Sequence, residues 1–285
     1  MPLRQILDIA FFCITLLAFN ASPLRAEPVP PGPLETHAPE TYKLNIVFHE
    51  FAPFSFVDDQ GKATGALVEI AQRVCQDWPD KCEISLRPNR RAKQLFFTGE
   101  MQATFLGWSQ ERASSMWFSL PMVETEYGFY SLKNNPFIPE QATTNTVVGV
   151  FSPSNTHGSL QKIERQRQQQ GMARLRVELY PQANEAPLRM LQKGRFDAYY
   201  VNKDVGAYYA KRLGLTALDY TPGETHVRYC LAFEMNHTPF ESVKAFNRLF
   251  QQLLSQGRLD AIYHKWHMTP AHLDPIMYPE LNMPF

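Results

Sequence analysis

The stretch KLNIVFHEFAPFSFVDDQGKATGALVEIAQRVCQDWPDKCEISL, Lys43 to Leu86, changes its apolar period part-way, and that change decides the fold class. Lys43 to Phe48 alternates as a strand does. A loop over His49 to Ser55 and a turn over Asp58 to Gly61 follow. Leu67, Ile70, Ala71, Val74 and Trp78 then recur at helical spacing and give one apolar face. A second strand runs from Cys82 to Leu86. Further out, Ala92 to Phe97 predicts a helix, Gly99 closes it, and another strand runs through Leu106. The order strand, helix, strand, helix, strand predicts a mostly parallel sheet with helices on its faces.

The same order returns downstream. Thr146 to Phe151 reads as a strand, Leu160 to Gln170 as a Gln- and Arg-rich helix, Arg174 to Leu179 as a strand, Glu185 to Gln192 as a helix and Ala198 to Val201 as a strand. Gly99-Glu100-Met101-Gln102-Ala103 and Gly194-Arg195-Phe196-Asp197-Ala198 hold matching places. Gly257-Arg258-Leu259-Asp260-Ala261 echoes both, after a helix on which Phe240, Val243, Phe246, Leu249, Phe250 and Leu253 form a stripe. The plainer account of each glycine is a helix C-cap. Two similar α/β units predict a cleft between them, where small ligands bind. Hinges are expected near Lys133 to Phe137 and Val227 to Glu234.

Ile9 to Phe19 is apolar almost throughout, with Arg4 before it and small residues after it up to Ala26, the layout of a signal peptide. It is shorter than the roughly 20 residues that span a bilayer. The expected organisation is a signal peptide over 1–26, an extended proline-rich leader over 27–41, a first lobe over 42–133 with 234–268, a second over 138–227, and a surface-covering tail over 269–285. Export predicts a periplasmic location. The chain carries 28 basic and 28 acidic residues, so neither nucleic acid nor an anionic surface is suggested as a partner.

Removing residues 1–26 takes away Cys13 and leaves Cys75, Cys82 and Cys230. Cys75 ends a helix and Cys82 starts a strand, so a disulfide closes a short loop easily, as an oxidising compartment allows. Cys230, within the apolar run Tyr229 to Phe233, reads as a buried small hydrophobe. The cysteines lack a second ligand pair at zinc-finger spacing. His264 and His267 lack a nearby carboxylate partner and read as surface residues. No metal or cofactor is expected.

Four pieces in order carry a resemblance. They are Phe51-Ala52-Pro53-Phe54-Ser55 with Asp59, Gly61 and Gly65; Ser109-Gln110-Glu111-Arg112 followed by Trp117-Phe118-Ser119-Leu120-Pro121; Gly194 to Ala198; and Leu253 to Trp266 with Gly257, Ile262 and Lys265. Over residues 43 to 268 the chain resembles the periplasmic solute-binding proteins of family 3, the polar amino-acid receptors of ABC importers. The cysteine pair is similar to a disulfide of some basic amino-acid members.

The resemblance implies two Rossmann-like lobes joined by two hinge crossings, with the ligand cleft between them. It implies that Arg112, next to Ser109, clamps a ligand carboxylate with its planar fork. Ser154 and Asn155 match a helix N-terminus that offers N–H groups and a hydroxyl to the same carboxylate. Phe51 matches a ring stacked on the ligand, Trp108 stands four before Arg112, and Asn89 precedes a helix whose start faces the cleft. The acidic residue that receives the ligand's ammonium falls on Asn202, so either Asp204, two further on, or Glu234 substitutes, or the ligand is not an ordinary α-amino acid. Here the chain departs from the pattern, as it does where Phe105 and Gly107 replace small hydroxyl residues. Plainer readings stand beside these: an ion pair of Arg112 with Glu111 or Glu124, a cap at Ser154, core packing of Phe51 and Trp108, a solvated loop at Asn89.

The function expected is a monomeric, non-enzymatic receptor that captures a small polar, zwitterionic or amino-acid-like solute and presents it to an inner-membrane permease or a sensor. The alternative is a periplasmic dehydratase of the cyclohexadienyl type on the same fold, with Glu50, His49 or Asp204 as acid or base.

Overall fold

The computed structural model describes residues 42–181 and 185–273. The expected signal peptide, the leader and the tail beyond 273 lie outside them. The first lobe opens with β1 (Leu44–Phe48), β2 (Phe56–Val57), β3 (Ala63–Thr64) and α1 (Ala66–Gln76). It continues with β4 (Cys82–Leu86), α2 (Asn89–Phe97), β5 (Ala103–Gly107), α3 (Gln110–Ala113) and β6 (Met116–Phe118). β7 (Val123–Leu132) leads to β8 (Val147–Phe151), α4 (Asn155–Gln169), β9 (Arg176–Tyr180) and α5 (Glu185–Gln192). Then come β10 (Ala198–Asn202), α6 (Lys203–Arg212), β11 (Leu218–Glu234), α7 (Phe240–Ser255) and α8 (Asp260–Trp266).

The main sheet runs β4-β1-β5-β11-β7-β10-β8-β9, with β6 on β11. Pairs are parallel on the two flanks, β4-β1-β5 and β10-β8-β9. The centre is antiparallel, because β7 and β11 run in opposite senses and each serves both lobes. That direction positions the site. β11 enters the first lobe from the second and pairs antiparallel with β5, so β5 points its carboxyl end at the second lobe. By the same logic β10, antiparallel to β7, points its carboxyl end at the first. The carboxyl ends of the parallel strands therefore face each other across the β7–β11 ribbon, the crevice where open α/β sheets bind ligands.

Burial follows the expected periodicity. Leu67, Ile70, Ala71 and Val74 of α1 and Val243, Phe246, Phe250 and Leu253 of α7 are buried in one core with β1 and β5. Each of the larger side chains among them contributes roughly 1.5–3 kcal/mol of transfer free energy. α7 docks through Asn247, whose Oδ1 accepts from Leu120 N at 2.8 Å, and α8 through the Tyr263 hydroxyl, which donates to Met122 O at 2.7 Å. Gly65 enters α1 at φ +116, where a Cβ would stand 2.6 Å from the Phe54 carbonyl carbon, so only glycine fits.

Cys75 and Cys82 form the expected disulfide, and Cys230 is buried and free. α4 begins at Asn155, ahead of the expected Leu160, because Ser154 supplies a cap there. Lys133 to Phe137, expected as a hinge, follow the far end of β7, while Val227 to Glu234 lie within β11. At the start of the expected tail, Glu124 N donates to Thr269 O at 3.2 Å, which lays the chain against β7.

Candidate functional site

Ser109 is the N-cap of the short α3, and its Oγ accepts from Arg112 N at 3.3 Å. Arg112 turns back so that Nη1 donates to Gly107 O at 2.7 Å. Gly107 pairs with Tyr229 on β11, which pairs in turn with Val123 on β7. A Cβ at Gly107 would stand 3.3 Å from Val227 Cγ1 and at ordinary contact distance, 3.9 Å, from Arg112 Nη1 and Tyr229 Cε1. Tyr127 and Tyr229 lie close to each other and to Arg112. Burial pushes the Tyr127 hydroxyl up to about 12 and Tyr229 further, which keeps both protonated.

Aromatic rings surround this point. Phe51 stacks on Phe54 at 5.3 Å and on Phe105 at 6.0 Å, and meets Tyr229 edge-on at 5.9 Å. His49 stacks on Phe105 at 4.5 Å. Burial, with Lys93 adding, lowers the His49 imidazole to about 4, so it is a neutral ring at neutral pH. Trp108 is 44% exposed, held by its backbone N–H to Arg228 O at 2.9 Å. Asn89 is exposed as the first residue of α2. Glu124, one expected partner of Arg112, is engaged by Arg228 at 3.4 Å.

In the second lobe, Ser154 Oγ accepts from His157 N at 3.1 Å and donates to Phe151 O at 2.5 Å, so it caps α4, with Asn155 exposed beside it. Asn202 is 1% exposed and caps α6. Its Oδ1 accepts from Asp204 N at 3.0 Å and Val205 N at 3.1 Å, and its Nδ2 donates to Thr125 Oγ1 at 3.2 Å. Thr125 Oγ1 donates to Asp204 Oδ2 at 2.5 Å. Burial raises the Asp204 carboxyl above its usual range despite that bond and the nearby Lys203. The two sets lie on opposite sides of the ribbon, four adjacent strands from β5 to β10, with Gly107 level with Val123 and Asn202 level with Tyr127 on β7.

A family model of the bacterial extracellular solute-binding proteins, family 3, matches residues 44–269. The chain belongs to this family. No curated protein sequence matches it. Its fold is similar to that of a histidine kinase sensor domain with similarity to periplasmic binding proteins, at a TM-score of 0.66 and 20% identity, covering 81% of this chain and 99% of that one. It is also similar to an ABC uptake transporter substrate-binding protein from Streptococcus pneumoniae with bound histidine, at 0.64 and 18%, covering 79% and 92%. A third is an ancestral amino acid-binding protein described as a precursor of cyclohexadienyl dehydratase, at 0.62 and 20%, covering 79% and 94%.

Membership implies a solute-binding role outside the cytoplasm, and no helix among the described residues is long and apolar enough to cross a membrane. In this family 3 protein, sequence reading missed Thr125, Tyr127 and Tyr229. Tyr229 lies in an apolar run that reads as core, and only the pairing of β11 with both β5 and β7 reveals that it abuts Arg112.

Proposed function

We propose that this solute-binding protein works in the periplasm as a non-catalytic receptor, capturing a small polar or amino-acid-like solute that bears a carboxylate. Its lobes meet where the chain crosses, near Glu124 to Glu126 and Thr225 to Arg228, and close on the ligand. The observation that carries this reading is the Arg112 guanidinium, held by the Gly107 carbonyl beside the Tyr127 and Tyr229 hydroxyls at the mouth of the crevice. A guanidinium so fixed gives a carboxylate two parallel charge-assisted bonds with little ordering cost. Phe51 and Trp108 wall the ligand, Ser109 sets the backbone of Arg112, and Asn89 flanks the opening. The N-terminus of α4 at Ser154 and Asn155 and that of α6 at Asn202 and Asp204 approach from the other lobe as the cleft closes. The closed form is what an ABC permease or a sensor kinase partner recognises, since ligand binding shifts an open and closed equilibrium. Calorimetric titration of the purified protein with carboxylate-bearing solutes tests the reading: one site per chain, abolished in Arg112→Ala, is the expected result.

A further inference from the structure

The occupancy of the polar atoms that line the crevice bears on what the captured carboxylate carries. Asn202 Oδ1 already accepts two backbone N–H bonds and Nδ2 already donates to Thr125. What remains on that side chain is a single N–H, a donor, which an ammonium cannot use. Asp204 Oδ2 is held by the Thr125 hydroxyl with Lys203 beside it, and burial raises its carboxyl above the usual range. Glu124 pairs with Arg228 and Glu126 with Lys203, while Glu50 is exposed. Against this stand the Arg112 guanidinium and the half-buried rings of His49 and Phe51, which pack on the buried Phe105 and Tyr229.

We infer that the crevice selects a carboxylate whose body is a flat aromatic or apolar group and which carries no α-ammonium. The inference rests on the receptor reading above. An ammonium entering here loses its water to donors and rings, and the carboxylate nearest Asn202, that of Asp204, is already tied through Oδ2 to Thr125 with Lys203 beside it. Ring faces stabilise a cation by less than an unpaired buried charge costs. A carboxylate meets Arg112, and an aromatic body meets rings at stacking distance.

The test is calorimetric titration of the ligand-stripped protein with matched pairs that differ only in the ammonium: 3-phenylpropionate against L-phenylalanine, and phenylacetate against L-phenylglycine. The deamino acid should bind at least tenfold more tightly in each pair. Asn202→Asp adds an acceptor while keeping a good N-cap residue, and should shift the ratio toward the amino acid by tenfold or more. An amino acid that binds as tightly as its partner, or the binding of neither at millimolar concentration, overturns the inference. Arg112→Ala separates the two claims. A preference for amino acids that still needs Arg112 defeats the inference alone, whereas binding that ignores the substitution defeats the receptor site beneath it.

Discussion

Thr125 Oγ1 and Asp204 Oδ2 are 2.5 Å apart, so the first crossing strand is tied by its hydroxyl to the helix start of the second lobe. Asn202 donates to the same hydroxyl from the cap of that helix. The hinge and the lobe 2 face of the crevice are thus one hydrogen-bonded unit, and the predictions begin with its cap.

Asn202→Ala removes the acceptor of two buried backbone N–H groups at the start of α6. The expected loss is about 1–2 kcal/mol, whereas Asn202→Asp, which can still cap, costs less. Urea unfolding followed by circular dichroism measures both, and equal losses would contradict the capping account.

Arg112→Ala should weaken carboxylate binding by at least about 2 kcal/mol, roughly 30-fold, because a charge-assisted pair in a closing cleft is removed. The melting temperature of the ligand-free protein should change little, since the only hydrogen bond that Arg112's guanidinium makes among the described residues is the one to Gly107. A ligand affinity equal to wild type excludes Arg112 from the site.

His49 links the aromatic crevice to pH. Its folded value is lowered to about 4 by burial, below the ordinary 6.5. The unfolded chain therefore takes up a proton before the folded one does, and stability is lost as pH falls from about 6.5 to about 4. His49→Gln should flatten the stability profile across that window relative to wild type. Parallel profiles for the two proteins would show that His49 protonates freely in the fold.

Much of the strand and helix order of both lobes, the disulfide and the buried Cys230 were legible from period and spacing. The crossings were less so. β11 carries Pro222 and Gly223 mid-strand, where the register shifts, and proline cannot donate to a ladder, so no continuous strand pattern marks its length. α6 went unread because its apolar residues are few and its start lies in a cap whose partners, Thr125 among them, are remote in sequence. Arg112 and Ser109 were legible as a motif. Tyr127 and Tyr229 were not, because a site assembled from adjacent strands leaves no local pattern.

Reduction of Cys75–Cys82 reopens a loop of sequence separation 7. Loop-closure entropy puts its stabilisation at about 2.5 kcal/mol. For a chain of this size that corresponds to a fall in Tm of roughly 5–10 °C, which calorimetry with and without reductant measures. Under the same conditions Cys230, fully buried with its thiol pushed up by that burial, should react with iodoacetamide only after unfolding. Fast labelling in the native state would contradict its placement.

The most direct test of the receptor account is mass spectrometry of the small molecule released when the protein, purified from the periplasm, is denatured. The account predicts one carboxylate per chain, which on return raises the melting temperature and is recovered again with its mass unchanged. Absence of any bound solute, together with conversion of a supplied acid to a product of different mass, would contradict it and make the protein an enzyme.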